Sequence, residues 1–363
     1  MPIRPQPQPE YQDQINAAIQ SVIHSNTFLG GREVNLLEEE LSEFLQVPYC
    51  LACGSGTDAI LLALMALDIQ PGDEVICPAY SYAAPAAMVE LLKGNPVFVD
   101  VSPVDYTIDA RKIEEKITSR TKAIIAVSLF GQCANFYPIN ELARQHEIWV
   151  IEDGSDSFGA RYFGEYSGTL AHLSTTSFGP SMSLSGYGRG GAVFTRHKQL
   201  AEKIKLLRNH GLNAFGQYQF IGLNSRMDNI QAAVVRIKLQ HLHHEMHIRE
   251  RNAKLYQKLL PSNTLLPEIA NGRESAWSSY TIGTPDRSRL EEELRKQEIP
   301  GPLHRPANLA GQPAFINNRF PDESFKVADL LHSTAVSLPI HSQFSNLSIK
   351  KIATLTSQCL TGH

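Results

Sequence analysis

The chain has 363 residues, 42% hydrophobic and 19% charged, so it can bury the core of one large domain and a smaller one. A formal charge of -4 and a pI near 6.4 offer no basic field to nucleic acid or to an anionic membrane, and neither partner is expected. The Pro- and Gln-rich start lacks the apolar core of a signal peptide, and the clearest apolar run, 59–67, is too short to span a bilayer, so a cytoplasmic protein is expected.

The spacing of Ile15, Ile19, Val22 and Ile23, then of Leu36, Leu37, Leu41 and Phe44, predicts helices over 11–24 and 33–45, separated by a turn at 26–31. Arms of this kind are expected to pack on a partner subunit. From Tyr49 a regular alternation begins, with strands over 49–53, 74–77, 97–101, 122–129 and 148–152 and helices over 57–67, 82–92, 109–117 and 139–146. Strands such as Ala123-Ile-Ile-Ala-Val127 are near-continuous apolar runs, which a sheet covered by helices on both faces demands. The expected class is α/β with a doubly wound, mainly parallel sheet.

Two further β-like runs, 174–178 and 192–195, flank a loop too rich in Gly, Ser and Pro for helix or strand, as a ligand loop would be. Beyond it the pattern predicts helices over 197–209 and 226–260, a strand over 278–282, a helix over 287–298, a Pro- and Gly-rich loop over 300–313, and closing helices over 325–335 and 347–360. The expected division is an N-terminal arm with a large cofactor-type α/β domain over 1–240, then a smaller α+β C-terminal domain over 241–363.

Five cysteines (Cys50, Cys53, Cys77, Cys133, Cys359) form an odd set without framework spacing, as reduced thiols do. Cys50-Leu-Ala-Cys53 lies in a strand, where residues three apart face opposite sides, so it reads as a buried strand rather than a redox or zinc motif. His241, His243, His244 and His247 miss the spacing of a zinc-protease helix, and they read as a polar helix face; no metal site is expected.

Chemistry is expected at the carboxyl ends of the strands. Gly54-Ser55-Gly56-Thr57-Asp58 follows the first strand and opens the first helix of the alternation, where free N–H groups suit a phosphate, or where the glycines simply make a tight turn. Asp153, ending the fifth strand, would hold a protonated ring nitrogen or cap the loop that follows.

Taken in order, Asn26-Thr-Phe-Leu-Gly-Gly31, Gly56-Thr-Asp-Ala59, Pro71-Gly-Asp-Glu-Val-Ile76, Ile151-Glu-Asp153, Ser157-Phe-Gly-Ala160, Gly190-Gly-Ala192, Arg208-Asn-His-Gly211 and Asn224-Ser-Arg-Met-Asp228 resemble the DegT family of sugar-nucleotide aminotransferases. These are pyridoxal-phosphate (PLP) enzymes of fold type I, and the resemblance runs through nearly the whole chain. Ser128-Leu-Phe-Gly-Gln-Cys-Ala134 and Tyr187-Gly188 favour the branch acting on 3-keto-uronic acid UDP-sugars in surface-polysaccharide synthesis. The resemblance implies that Gly56, Thr57 and Ser177 hold the cofactor phosphate, with Asn224 reaching it from the neighbouring subunit of a homodimer. It further implies that Tyr82 stacks on the pyridine ring, Asp153 pairs with its nitrogen and Arg226 faces the sugar acid.

Four positions depart from the family pattern. The family reads Ser-Phe-x-Pro-Ser-Lys where this chain has Ser177-Phe-Gly-Pro-Ser-Met182, and no lysine occurs over 123–197 to replace the amine that carries the cofactor as an imine. A thioether can neither form that imine nor shuttle a proton. Asp156 stands in place of glutamine, Arg189 in place of aspartate, and Arg305 in the His304-Arg305 pair in place of tyrosine. His172 and His210 are candidate replacement bases, a structural or surface role being the simpler reading.

The resulting expectation is a divergent homologue that binds PLP or its amine form PMP without a covalent link, if at all, and is not a conventional aminotransferase. Two alternatives stand beside it. One is a non-catalytic binding protein or the heteromeric partner of an active paralogue, whose site Asn224 and Arg226 would complete. The other is a lysine-to-Met trap of an ordinary keto-sugar aminotransferase, which accounts for Met182 but not for Asp156, Arg189 and Arg305.

Overall fold

The computed structural model describes residues 10–262, 264–299, 306–318 and 324–361. Helices α1 (Gln12–Ser25) and α2 (Arg32–Leu45) lead into β1 (Tyr49–Cys53). Leu37, Leu41 and Leu45 repeat every four residues, so α2 buries one face. Both helices pack along the long helix described below.

The central sheet adds β2 (Glu74–Pro78), β3 (Asn95–Val99), β4 (Thr121–Val127), β5 (Trp149–Asp153), β6 (Leu173–Ser177) and β7 (Gly191–Thr195). Their order is β1-β7-β6-β5-β4-β2-β3, with β7 antiparallel to both neighbours and the other pairs parallel. Helices α3 (Gly56–Ala66), α4 (Ala84–Leu91), α5 (Phe136–His146) and α6 (Lys198–Leu207) cover it. The apolar run in β4 is explained by this layering: Ala123, Ile125 and Val127 enter one hydrophobic cluster, and Ile124 and Ala126 enter another. Cys50 and Cys53 likewise belong to different clusters, and all five cysteines are buried free thiols.

Helix α7 (Asn229–Leu259) has 31 residues and spans about 46 Å at about 1.5 Å per residue. Its first half contributes Ala232, Val235, Leu239 and Leu242 to the cluster beneath α2 and β7, while Ala253 and Tyr256 join a separate core. That core is closed by strands β8 (Tyr280–Gly283) and β9 (Ala335–Leu338), an antiparallel pair, with helices α8 (Arg287–Lys296) and α10 (Asn346–Thr361). A further helix, α9 (Lys326–Thr334), precedes β9.

Three expected boundaries are corrected. The helix expected over 109–117 is two 3-10 turns, Ala110–Lys112 and Glu114–Lys116. The Asp109 carboxylate accepts from the Arg111 N–H at 3.1 Å and also binds the Arg111 guanidinium, and Ala110 and Ile113 are the buried apolar residues there, too little apolar face to carry an α-helix. Strand β3 ends at Val99 rather than Val101, because the next carboxylate, that of Asp100, takes the backbone N–H groups of Val101, Val327 and Ala328 and so ties this corner to the start of α9. Helix α7 begins at Asn229 rather than Arg226, since the Asp228 side chain caps it by accepting from the Gln231 N–H at 2.8 Å.

On α7, His241 stacks on Tyr11 with ring centroids 4.1 Å apart, while His243, His244 and His247 are exposed. Among the described residues no group of three His, Cys, Asp or Glu side chains could hold a metal, and no helix is long and apolar enough to cross a membrane.

Candidate active site

The strand ends place the site. After β1, Ser55 caps α3 by accepting from the Asp58 N–H at 3.0 Å, and the start of the helix leaves the N–H groups of Gly56 and Thr57 without intrahelical acceptors. Backbone segments converge closely here. A Cβ on Gly56 would lie 2.5 Å from Ser177 Cβ, and one on Gly191 would lie 2.5 Å from the Ser55 carbonyl carbon, so only glycine lets β6 and β7 pass this close to the helix start. Ser225 bridges to the same loop: its carbonyl accepts from the Gly54 N–H at 3.1 Å and its hydroxyl donates to Asp58 at 2.7 Å.

At the end of β5, Asp153 accepts from the Ser155 N–H at 3.2 Å and from its hydroxyl at 2.6 Å. Asp156 accepts from the Phe130 N–H at 3.1 Å and shares a hydrogen bond with the Tyr82 hydroxyl. Burial raises both carboxyls, and Asp156 reaches about 7 with the Asp153 charge adding to the effect. Burial, together with the two carboxylates, holds the Tyr82 hydroxyl well above its ordinary value and therefore protonated. Across from them, Ser177 ends β6 and accepts from the Gly179 N–H at 3.2 Å, and the loop closes with Phe178 N–H to Gly190 O at 2.8 Å and Gly186 N–H to Phe178 O at 2.7 Å.

These elements enclose a cavity of about 740 Å³. It gathers Gly56, Thr57, Tyr82, Asp153, Asp156, Ser177, Met182 and Arg189, residues far apart in sequence. Its far side is built from Ser278, Ser279, the end of β9 and His341. No lysine occurs among the described residues that line it. Lys238, on α7, donates instead to the Ser185 hydroxyl at 3.0 Å and lies over the Tyr187 ring at 4.9 Å.

The remaining sequence-predicted residues lie elsewhere. Asn224 and Arg226 are exposed and outside the cavity wall of this subunit, on either side of Ser225. His210 is exposed too and does not line the cavity, and its backbone N–H donates to Leu223 O at 2.8 Å. His172 precedes β6, at the opposite end of the strand from Ser177, and its Nδ1 accepts from the Val150 N–H at 3.0 Å. Neither His172 nor His210 lines the cavity of this subunit. His304 and Arg305 fall outside the described residues. His341 was missed by the sequence reading, since nothing local in Pro339-Ile340-His341 marks it and only the β8–β9 pairing carries it to the cavity.

The sheet order, the antiparallel β7 and a ligand cavity at the strand ends define a fold type I aminotransferase-like α/β protein. The chain belongs to the DegT/DnrJ/EryC1/StrS aminotransferase family, whose model matches residues 9–356. It is 39% identical over 352 residues to the UDP-2-acetamido-2-deoxy-3-oxo-D-glucuronate aminotransferase of Pseudomonas aeruginosa, covering 96% of this chain and 97% of that protein. A family aminotransferase from Brucella abortus superposes with a TM-score of 0.90 at 34% identity, covering 95% of each chain. The ntda protein from Bacillus subtilis, solved with bound cofactor PMP, superposes with a TM-score of 0.86 at 27% identity, covering 97% of this chain and 83% of that one.

Proposed function

We propose that this protein is a divergent, cytoplasmic homologue of the sugar-nucleotide aminotransferases that binds PLP or PMP without a covalent link and handles a keto-sugar nucleotide without conventional transamination. One observation carries the reading: a phosphate cradle, a ring-flanking tyrosine and a buried carboxylate share one cavity with a thioether and, among the described residues, with no lining lysine. The residues fit the cofactor. The free N–H groups of Gly56 and Thr57 and the Ser177 hydroxyl suit its phosphate, Tyr82 its ring face and Asp153 its ring nitrogen. When bound, PLP supplies an electron-withdrawing ring for amino-group chemistry.

The chain's own groups then divide the work. Asp153, held by Ser155, would keep a proton on the ring nitrogen; Asp156 accepts from the Tyr82 hydroxyl and so would fix its orientation beside the ring; the exposed Arg189 would offer positive charge to an anionic substrate. Met182 fills the space of an amine and carries no proton. The P. aeruginosa relative's named substrate is a 3-oxo-glucuronate UDP-sugar, which motivates a sugar acid here, with Arg226 as its partner and His304 and Arg305 completing the pocket.

A homodimer is part of this reading. Phe215, Tyr218 and Ile221 are 87%, 74% and 91% exposed on the excursion that ends at Asn224, an apolar surface that a second copy would cover. Docking there would carry Asn224 and Arg226 to the partner's cavity. The same exposure favours a second reading, in which those two residues complete the site of an active paralogue. A lysine-to-Met trap is the weakest alternative, because Asp156 and Arg189 change the same cavity wall.

Adding PLP to the protein and recording the spectrum before and after borohydride tests the proposal. Saturable binding with no reducible imine band is expected; a band fixed to the protein by borohydride overturns it.

A further inference from the structure

With a thioether at position 182, the titratable groups left in the cavity wall divide sharply. Arg189 has no lone pair with which to accept a proton. Tyr82 stays protonated, and Asp153 spends Oδ1 on two bonds from Ser155. Asp58 accepts from the Ser225 hydroxyl, and Asp156 already accepts from Phe130 and Tyr82. His341 differs from all of these, since its imidazole makes no hydrogen bond with the described residues and lines the cavity from the β9 side, opposite the strand ends that carry the carboxyls.

Its placement is fixed through the backbone. The Tyr256 hydroxyl donates to Pro339 O at 2.8 Å, the Asn252 side-chain amide to His341 O at 3.4 Å, and the Phe344 N–H to His341 O at 3.0 Å. The charges bearing on the ring come from α7: Arg249, which is buried, approaches Glu245 at 3.7 Å and donates to Ser183 O at 3.3 Å, and Lys238 sits on Ser185. No carboxylate acts directly on the imidazole among these groups.

We propose that His341 is the proton acceptor of this site, supplied from the β9 side of the cavity in place of the missing lysine amine. The inference rests on the PLP reading above. In the step it serves, a proton leaves a C–H bond of the bound amino substrate for an imidazole nitrogen, the electron pair stays with the ligand, the imidazolium proton exchanges with solvent, and a solvent-derived proton is returned to the carbon. No oxidant or reductant is consumed. Burial and the Arg249 and Lys238 charges hold the imidazole down to about 4, so the ring is neutral and its lone pair is free at physiological pH.

The test uses the whole protein, wild type and H341Q, with PLP and with L-glutamate as the probe amino acid in deuterium oxide. PLP affinity is read by absorbance titration, and deuterium entry at the amino acid's α-carbon by proton NMR. Expected is unchanged PLP affinity in H341Q with exchange lowered about 100-fold or more. Partial recovery on adding free imidazole to H341A is expected too, which a structural role would not produce. Wild type that binds no PLP sinks the PLP reading and this inference with it. Wild type that binds PLP and exchanges nothing, or H341Q that binds and exchanges at the wild-type rate, sinks the inference alone. If both variants melt far below wild type, the imidazole 15N spectrum of wild type at the assay pH decides: a doubly protonated ring there, with no lone pair to accept, overturns the proposal.

Discussion

Asp156 lies in the same buried wall as Asp153, its carboxylate fastened to the Phe130 N–H at 3.1 Å while the Asp153 charge opposes its ionisation. Moving this carboxyl from its ordinary 3.8 to about 7 costs folding stability, up to about 4 kcal/mol. The sign follows from proton binding. Between pH 3.8 and about 7 the unfolded chain releases a proton that the folded chain keeps, so this contribution falls as pH rises and is constant above about 7. Asp156→Asn keeps an acceptor for Phe130 and removes the charge. The variant should melt above wild type at pH 8, with the gap closing toward pH 4, measured by calorimetry across pH.

Met182→Lys adds an amine to the loop after β6 without altering its surroundings. Asp156 and Arg189 remain in the same cavity wall, one a carboxylate that would oppose a phenolate and the other a positive charge. Amino-group transfer from L-glutamate to a keto-sugar nucleotide should stay at least about 100-fold below that of Met182→Lys with Asp156→Gln and Arg189→Asp added. Full recovery in the single variant, measured by product formation, would show that the lysine alone was missing.

Much of this architecture was legible because strands and helices advertise themselves locally. The buried run of β4 and the four-residue repeat of α2 each state their environment in consecutive residues. The site was legible only where a motif carries its own chemistry, as Gly56-Thr57 does at a helix start. Where a carboxylate redirects backbone N–H groups, as Asp100, Asp109 and Asp228 do, hydropathy spacing cannot see the ending, and the expected elements ran past it. His341 was illegible for another reason. Its place depends on β8 pairing with β9 across more than fifty residues of chain, from Tyr280 to Leu338, and on α7 holding the carbonyls around it.

The link between α2 and the site's first strand is an ion pair. Arg208 binds both the Glu38 carboxylate and, at 2.6 Å, Ala52 O, while Glu38 accepts from the Ala52 N–H at 2.8 Å. Both side chains are largely buried, at 13% and 18% exposure. Glu38→Ala leaves the guanidinium without its counter-charge and the Ala52 N–H without its acceptor. A loss of roughly 3 kcal/mol is expected in chemical denaturation, with Arg208→Met partly restoring stability in the double variant.

The exposed apolar excursion makes the final prediction, because it separates assembly from folding. Phe215 and Ile221 contribute almost nothing to the subunit's own core, so replacing both with serine should leave the monomer's melting temperature nearly unchanged. If the excursion covers a second copy, the same replacement removes apolar contact worth a few kcal/mol and shifts sedimentation from dimer toward monomer. PLP affinity should fall with it, since Asn224 follows the excursion and would no longer reach a partner's phosphate cradle. A variant that stays dimeric, or a monomer that binds PLP as tightly as wild type, would place the interface or the phosphate contact elsewhere.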